Sequence, residues 1–143
     1  MKTARYPFRT LCGIAALACV LALVLVGCGT GNTVTVTNTD AGVTKIAHVG
    51  DRIVVRLDGN PSTGYTWTRV APAGEDFETS PIAIIQEGAW QFPGGGHLAG
   101  EPGVCTFEYA VIGTGIVAFS YEYARSWEGE AIQTFSVNIL AQE

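Results

Sequence analysis

Charge, histidine and long apolar runs are all scarce in this chain of 143 residues, and each shortage removes a class of function. Eight basic residues face thirteen acidic ones, and three of the eight, Lys2, Arg5 and Arg9, precede every acidic residue. A nucleic-acid binder needs clustered basic charge to displace counterions from phosphates, so no nucleic-acid partner is expected. Only two histidines occur, His48 and His97, without HxH or HExxH spacing, and neither a metal nor any other cofactor is expected. The chain has no G-x-S-x-G elbow, no Walker loop and no G-x-G-x-x-G opening a helix. The cluster Gly94-Gly95-Gly96 lacks a Lys and a following helix, and reads as loop flexibility. Glu101, Glu128 and Glu130 leave a glycosidase-type carboxylate pair open, but thirteen acids spread along the chain describe a solvated surface. The expectation is a protein that is not an enzyme.

The apolar run Leu11 to Val26 has 16 residues without a charged or strongly polar side chain, short of the roughly 20 a transmembrane helix needs. It follows the positive stretch of Lys2, Arg5 and Arg9 and ends in Leu25-Val26-Gly27-Cys28, which resembles the bacterial lipobox. Residues 1–27 are therefore expected to be a removable export signal, with Cys28 the acylated N-terminus of a lipoprotein attached to a membrane. Gly29, rather than Asp, after Cys28 is compatible with the periplasmic side of the outer membrane in a Gram-negative source. Residues 28–33 then form a small, uncharged, flexible tether, and one domain, 34–143, begins near Val34. With Cys12 and Cys19 in the signal and Cys28 acylated, only Cys105 remains, so no internal disulfide is expected. Cys105 shares a strand face with Phe107 and Tyr109, which makes it a buried thiol rather than a nucleophile paired with His97.

From Val34 onward the hydrophobic period is two. Val34 and Val36 alternate with threonines, Ile53, Val55 and Leu57 with Arg52 and Arg56, and Tyr65, Trp67 and Arg69 with threonines again. A short apolar run spans Ala83 to Gln86. The C-terminal third gives three inward faces: Cys105, Phe107, Tyr109 and Val111; Val117, Phe119, Tyr121 and Tyr123; then Phe135, Val137 and Ile139. Gly113-Thr114-Gly115 reads as a tight hairpin turn between the first two. Six to eight such strands predict an all-β sandwich, with a closed barrel open on pattern alone. Three long connections, Gly59 to Gly64, Gln91 to Gly103 and Arg125 to Glu130, are separated by even numbers of strands and should emerge at one end.

The first connection, Asn60-Pro61-Ser62-Thr63-Gly64-Tyr65, is built to be stiff: Pro61 presets its own φ, Asn60 can close a turn, and Gly64 permits positive φ. The third sets Arg125, Ser126 and Trp127 beyond a strand end, the composition of a binding hot spot. Three motifs together resemble the chagasin family of inhibitors of papain-like cysteine proteases. NPSTGYTW is similar to that family's NPTTG-aromatic-x-Trp loop. QFPGGGHLAGEPGVCTFEY is similar to its second loop, through Phe92-Pro93, the glycines Gly100 and Gly103, and Phe107. YARSW is similar to its Tyr-x-Arg-Pro-Trp. The resemblance covers about Val34 to the C-terminus and departs at Pro102, where the family has Gly, and at Ser126, where it has Pro.

The resemblance implies an immunoglobulin-like β-sandwich whose three loops fill a protease cleft reversibly and without a covalent bond. Thr63 would lie nearest the protease's catalytic cysteine and histidine, flanked by Gly100, Glu101, Pro102 and Gly103 on one side and Arg125, Ser126 and Trp127 on the other. The partner is then a papain-like protease and the inhibitor a monomer. Two other readings of the same residues are a lipid-anchored carbohydrate-binding or adhesion module using Trp90 and Trp127, and an inhibitor of another hydrolase such as lysozyme.

Overall fold

The computed structural model describes residues 31–71, 79–94 and 100–143. The export signal, Cys28, Gly29, Gly95, Gly96 and His97 lie outside the described residues. Eight strands follow one another: β1 (Thr33–Thr37), β2 (Thr44–His48), β3 (Arg52–Gly59), β4 (Thr66–Val70), β5 (Ile82–Gln91), β6 (Gly103–Val111), β7 (Gly115–Ala124) and β8 (Ala131–Gln142). They form two four-stranded sheets, ordered β1-β3-β6-β5 and β2-β8-β7-β4. The protein is an immunoglobulin-like β-sandwich, as expected, and the barrel alternative falls away. Among the described residues no helix is long and apolar enough to cross a membrane.

The inward faces read from the period-two pattern form the core. Ile53, Val55, Leu57, Cys105, Phe107, Tyr109, Phe119, Tyr121, Val137 and Ile139 are all buried. Rings from the two sheets interlock, Tyr109 against Phe119 at 4.5 Å and Phe107 against Tyr121 at 4.6 Å between centroids. Tyr109 and Tyr121 share a hydrogen bond between their hydroxyls (2.9 Å), so neither sheet buries an orphan phenol. Burial pushes the Tyr121 hydroxyl well above its usual pKa, and Tyr109 beside it adds to the effect. Cys105 is a free, buried thiol raised to about 11 by desolvation, far from the thiolate a nucleophile requires.

Two expectations are corrected. Gly113 to Gly115 is not the turn of a hairpin, because β6 and β7 lie in different sheets and the segment carries the chain across the sandwich. The Ile112 and Gly113 N–H groups both donate to the Pro81 carbonyl, at 2.8 and 3.1 Å, which ties the crossing to the start of β5. Two successive strands with apolar inward faces can pair side by side or face each other, and periodicity does not distinguish the two. The run Ala83 to Gln86 is part of a ten-residue strand, whose register shifts between Ile84 and Gln86 and again between Gln86 and Ala89. Those bulges break the alternation by which the strand would have been recognised.

The domain also takes in more of the N-terminal segment than its composition indicates. β1 starts at Thr33, and the Asn32 N–H donates to Asp51 Oδ1 (2.7 Å). The second oxygen, Asp51 Oδ2, accepts the His48 N–H (2.8 Å), so one nearly buried carboxylate closes the β2 to β3 turn and pins the entering chain. The backbone N–H of His48, outweighing the opposing effect of burial, holds the Asp51 pKa below the ordinary carboxylate value. A carboxyl whose pKa is lowered by folding stabilises the fold above its unfolded pKa, near 3.8, and loses that contribution as pH falls through the lower folded value. Asp51→Asn is expected to cost about 1–3 kcal/mol at neutral pH. Thermal melts followed by circular dichroism should show the gap from the parent narrowing below pH 3.8, whereas a gap independent of pH would rule out the carboxylate charge as its source.

Candidate functional site

The three long connections do meet at one end of the sandwich, and hydrogen bonds join them. In the loop between β3 and β4, the Asn60 side chain accepts the Ser62 N–H (3.1 Å) and hydroxyl (2.6 Å), and the Gly64 N–H donates to the Pro61 carbonyl (3.0 Å). Pro61–Thr63 thereby forms one turn of 3-10 helix, with Pro at its first position and Gly64 ending it at φ 83°. The Thr63 hydroxyl donates back to the Asn60 carbonyl (2.6 Å). Local turn chemistry alone thus specifies the shape of the loop tip.

Its neighbours then fix its position. On one side the Gly100 N–H donates to Ser62 Oγ (2.8 Å) and the Asn60 Nδ2 group donates to the Gly100 carbonyl (3.1 Å). On the other, Arg125 Nε donates to the Thr63 carbonyl (3.0 Å). From below, the Tyr123 hydroxyl accepts the Asn60 N–H (2.8 Å) and donates to the Asn60 carbonyl (3.2 Å). Tyr123 is a core residue of β7 whose ring packs against Tyr65 at 5.4 Å and Trp67 at 5.0 Å.

Arg125 does more than reach Thr63. Its guanidinium lies 4.3 Å from the Tyr65 ring centroid and 5.9 Å from that of Trp127, a cation between two aromatic faces. Glu128 Oε1 pairs with Nη1 at 2.6 Å, and this bond raises the Arg125 pKa further. The other oxygen, Oε2, accepts the Tyr65 hydroxyl at 3.3 Å. The Glu128 N–H donates to the Arg125 carbonyl (3.1 Å), closing a four-residue turn with Ser126 at its second position, where proline would be well suited. Trp127 sits at the turn's outer side, 70% exposed, with its ring so near Gly64 that a Cβ there would lie 2.7 Å from Cη2.

Of the thirteen residues singled out from sequence, twelve lie at or near this surface. Pro61, Ser62, Thr63 and Gly64 form the central tip, Asn60 and Tyr65 its roots, and Gly100 and Glu101 the flank, where Glu101 turns its carboxylate over Gly94. Pro102 is exposed. Gly103 is the correction: it is buried, and a Cβ there would meet the Trp90 ring at 3.1 Å and the Gln91 carbonyl at 3.2 Å. Its glycine serves close packing at the base of the second loop. Trp90 is likewise half-buried, donating from Nε1 to Thr66 Oγ1 (3.3 Å) and filling the space beside Gly59 and Gly103. Part of its ring is thereby taken up by packing, and of the two tryptophans in the carbohydrate reading Trp127 is the exposed one.

Tyr123 and Glu128 hold the site together, yet their roles were not read from sequence. Tyr123 carried a core signal and stood first in the YARSW motif without a role of its own, and Glu128 counted as one loop acid among several. Among the described residues no group of three His, Cys, Asp or Glu side chains could hold a metal ion.

Comparison with known proteins places this arrangement. Residues 46–139 match the family model described as chagasin family peptidase inhibitor I42. Chagasin from Trypanosoma cruzi is 29% identical over 94 residues, covering 66% of this chain and 83% of that protein. Among solved structures, a cysteine protease inhibitor from Entamoeba histolytica superposes with a TM-score of 0.61 at 20% identity, covering 77% of this chain and 95% of its own. Amebosin superposes with a TM-score of 0.58 at 22% identity, covering 78% of this chain and 98% of its own. These two show the shared fold, whereas the family match spans most of the chain and includes all three loops in full. The chain belongs to the chagasin family of peptidase inhibitors, proteins that inhibit proteases and are not themselves enzymes.

Proposed function

We propose that this protein inhibits papain-like cysteine proteases reversibly, filling the active-site cleft with three loops of which Asn60 to Tyr65 is the central wedge. The observation that carries this reading is the bonding of the wedge on both flanks, Ser62 to Gly100 and Thr63 to Arg125. A loop ordered before binding avoids the cost of about 0.5–1.5 kcal/mol for each side chain that would otherwise be immobilised on binding. The same bonds explain why a protease would not cleave its inhibitor. The Thr63 carbonyl is already held by Arg125, and the tip is a helical turn, so its peptide groups are not free to adopt the near-attack geometry of a substrate.

Trp127 is the natural anchor, a large exposed ring backed by Arg125 and beside the wedge. Pro102 removes one backbone donor from the second loop, and Ser126 leaves the third turn less restricted than proline would. Acylation of Cys28 would hold the inhibitor, as a monomer, at the cell envelope, on the periplasmic face of the outer membrane if the source is Gram-negative. There it would guard envelope proteins against proteolysis.

The test is titration of papain with the 29–143 fragment, reading residual activity on a fluorogenic peptide. Competitive, dilution-reversible loss of activity is expected; no inhibition at micromolar concentration by a folded fragment would overturn the reading. Trp127→Ala should raise the inhibition constant at least tenfold, about 1.4 kcal/mol, with the melting temperature unchanged. An unaltered constant would remove Trp127 from the contact. Thr63→Arg should abolish cleft entry, and retained potency would show that a different loop leads. Gly64→Ala forces a Cβ into the left-handed region and against the Trp127 ring, so it should cost about 1–3 kcal/mol and weaken inhibition together. A variant equal to the parent in both measurements would mean that the tip and Trp127 are not mechanically joined.

A further inference from the structure

The end of the sandwich opposite the inhibitory loops has its own organisation. The chain enters the fold there: the Arg52 N–H donates to the Asn32 carbonyl (2.8 Å), and Gly31 lies so close to Gly50 that a Cβ would come 1.7 Å from its carbonyl oxygen. Gly31 therefore has no room for a side chain, and the entering backbone is clamped against the turn between β2 and β3. Around this point stand Val49 in that turn, Ile112 after β6 and Ile116 near the head of β7, the two isoleucines 59% and 74% exposed. From Ile116 the apolar surface continues across paired strands to Leu140 and then to Ile46, which is 56% exposed. On the same outward face, nearer the middle of β7 and β8, the cross-strand partners are polar, as in the pair Ser120 and Ser136. Ile46, Leu140 and Ile116 thus form a continuous apolar row at this end, whereas at the loop end of the same face Ile132 stands alone.

What covers them is indicated by the chain that precedes Gly31. Cys28 is three residues away, a reach of at most about 10 Å even fully extended. An acyl chain on Cys28 would hold this end at the lipid surface whatever the domain's preference. Resting on the reading of Cys28 as acylated, we propose that Ile46, Val49, Ile112 and Ile116 dock into the interface of the bilayer, fixing the domain upright with its inhibitory loops pointing away. Apolar groups at such surfaces settle about 5–10 Å into the headgroup boundary, which the short tether permits. β7 alone has ten residues, so the loops would stand about 30 Å above the lipid, clear for an approaching protease.

The test uses the full-length protein, processed in bacteria and bound to phosphatidylcholine vesicles. Ile116→Cys and Ile132→Cys place single thiols on the outer face of one sheet at opposite ends, and buried Cys105 is out of reach of label. Each is labelled with a polarity-sensitive fluorophore, and the quenching by doxyl-bearing lipid is compared. Several-fold stronger quenching at position 116 than at 132 is expected, with both variants melting as the parent does. Weak quenching at both positions, on protein that floats with the vesicles and loses flotation in Cys28→Ser, would overturn the docking and leave the anchor standing. Strong quenching at both would mean the domain lies on its side, which also overturns it. A parent protein that does not float would overturn anchor and docking together.

Discussion

Everything presented at the loop end depends on the Tyr123 hydroxyl, which takes the Asn60 N–H and gives its own proton to the Asn60 carbonyl. The ring beneath it is wedged among Tyr65 and Trp67 in a core where each sheet contributes aromatic side chains to the other. Rigidity in the core is therefore passed to the first residue of the wedge by two hydrogen bonds with almost no freedom of their own. A phenylalanine would pack as well but would leave both Asn60 backbone groups without this partner.

From that root the site extends by hydrogen bonds between side chains and backbone rather than by apolar packing. Asn60, Ser62 and Thr63 shape the tip, and Gly100 and Arg125 brace it from either flank. Arg125 suits this work because a planar guanidinium can donate to a carbonyl, pair with Glu128 and lie over Tyr65 at once, which an ammonium cannot. Trp127 is left exposed beside a braced loop, and that is the condition under which a large aromatic gives much contact area with little ordering. Chemistry of the catalytic kind has no place in such a site. The buried Cys105 thiol, held protonated by desolvation, serves only packing.

The braced loops and the entry of the chain into the fold lie at opposite poles. Asp51 secures the entering chain with one carboxylate oxygen and the β2 to β3 turn with the other, while the loops are secured through Tyr123 at the far end of the same sandwich. The two arrangements share no residue, so a change at one pole should leave the other intact.

Strand faces were legible from sequence because a half-buried strand writes its burial with period two, and Ile53 to Leu57 and Cys105 to Val111 did so without interruption. The loops that meet at one end were legible as well, since Asn-Pro-Ser-Thr-Gly carries its turn chemistry locally and Arg125 with Trp127 stands outside any strand pattern. What remained hidden were relations between distant segments. Whether β6 and β7 pair or face each other, that β5 runs through two bulges, and that Trp90 packs against Gly59 and Gly103 are all decided by which sheet each strand joins. The bonds of Tyr123 to Asn60 and of Arg125 to Thr63 span about sixty residues, and no local preference encodes them. Sequence by itself determined each strand's apolar face and the shape of each turn, because those follow from neighbouring residues. Only the tertiary structure decided which surfaces meet, because close packing of two sheets is a property of the whole chain at once.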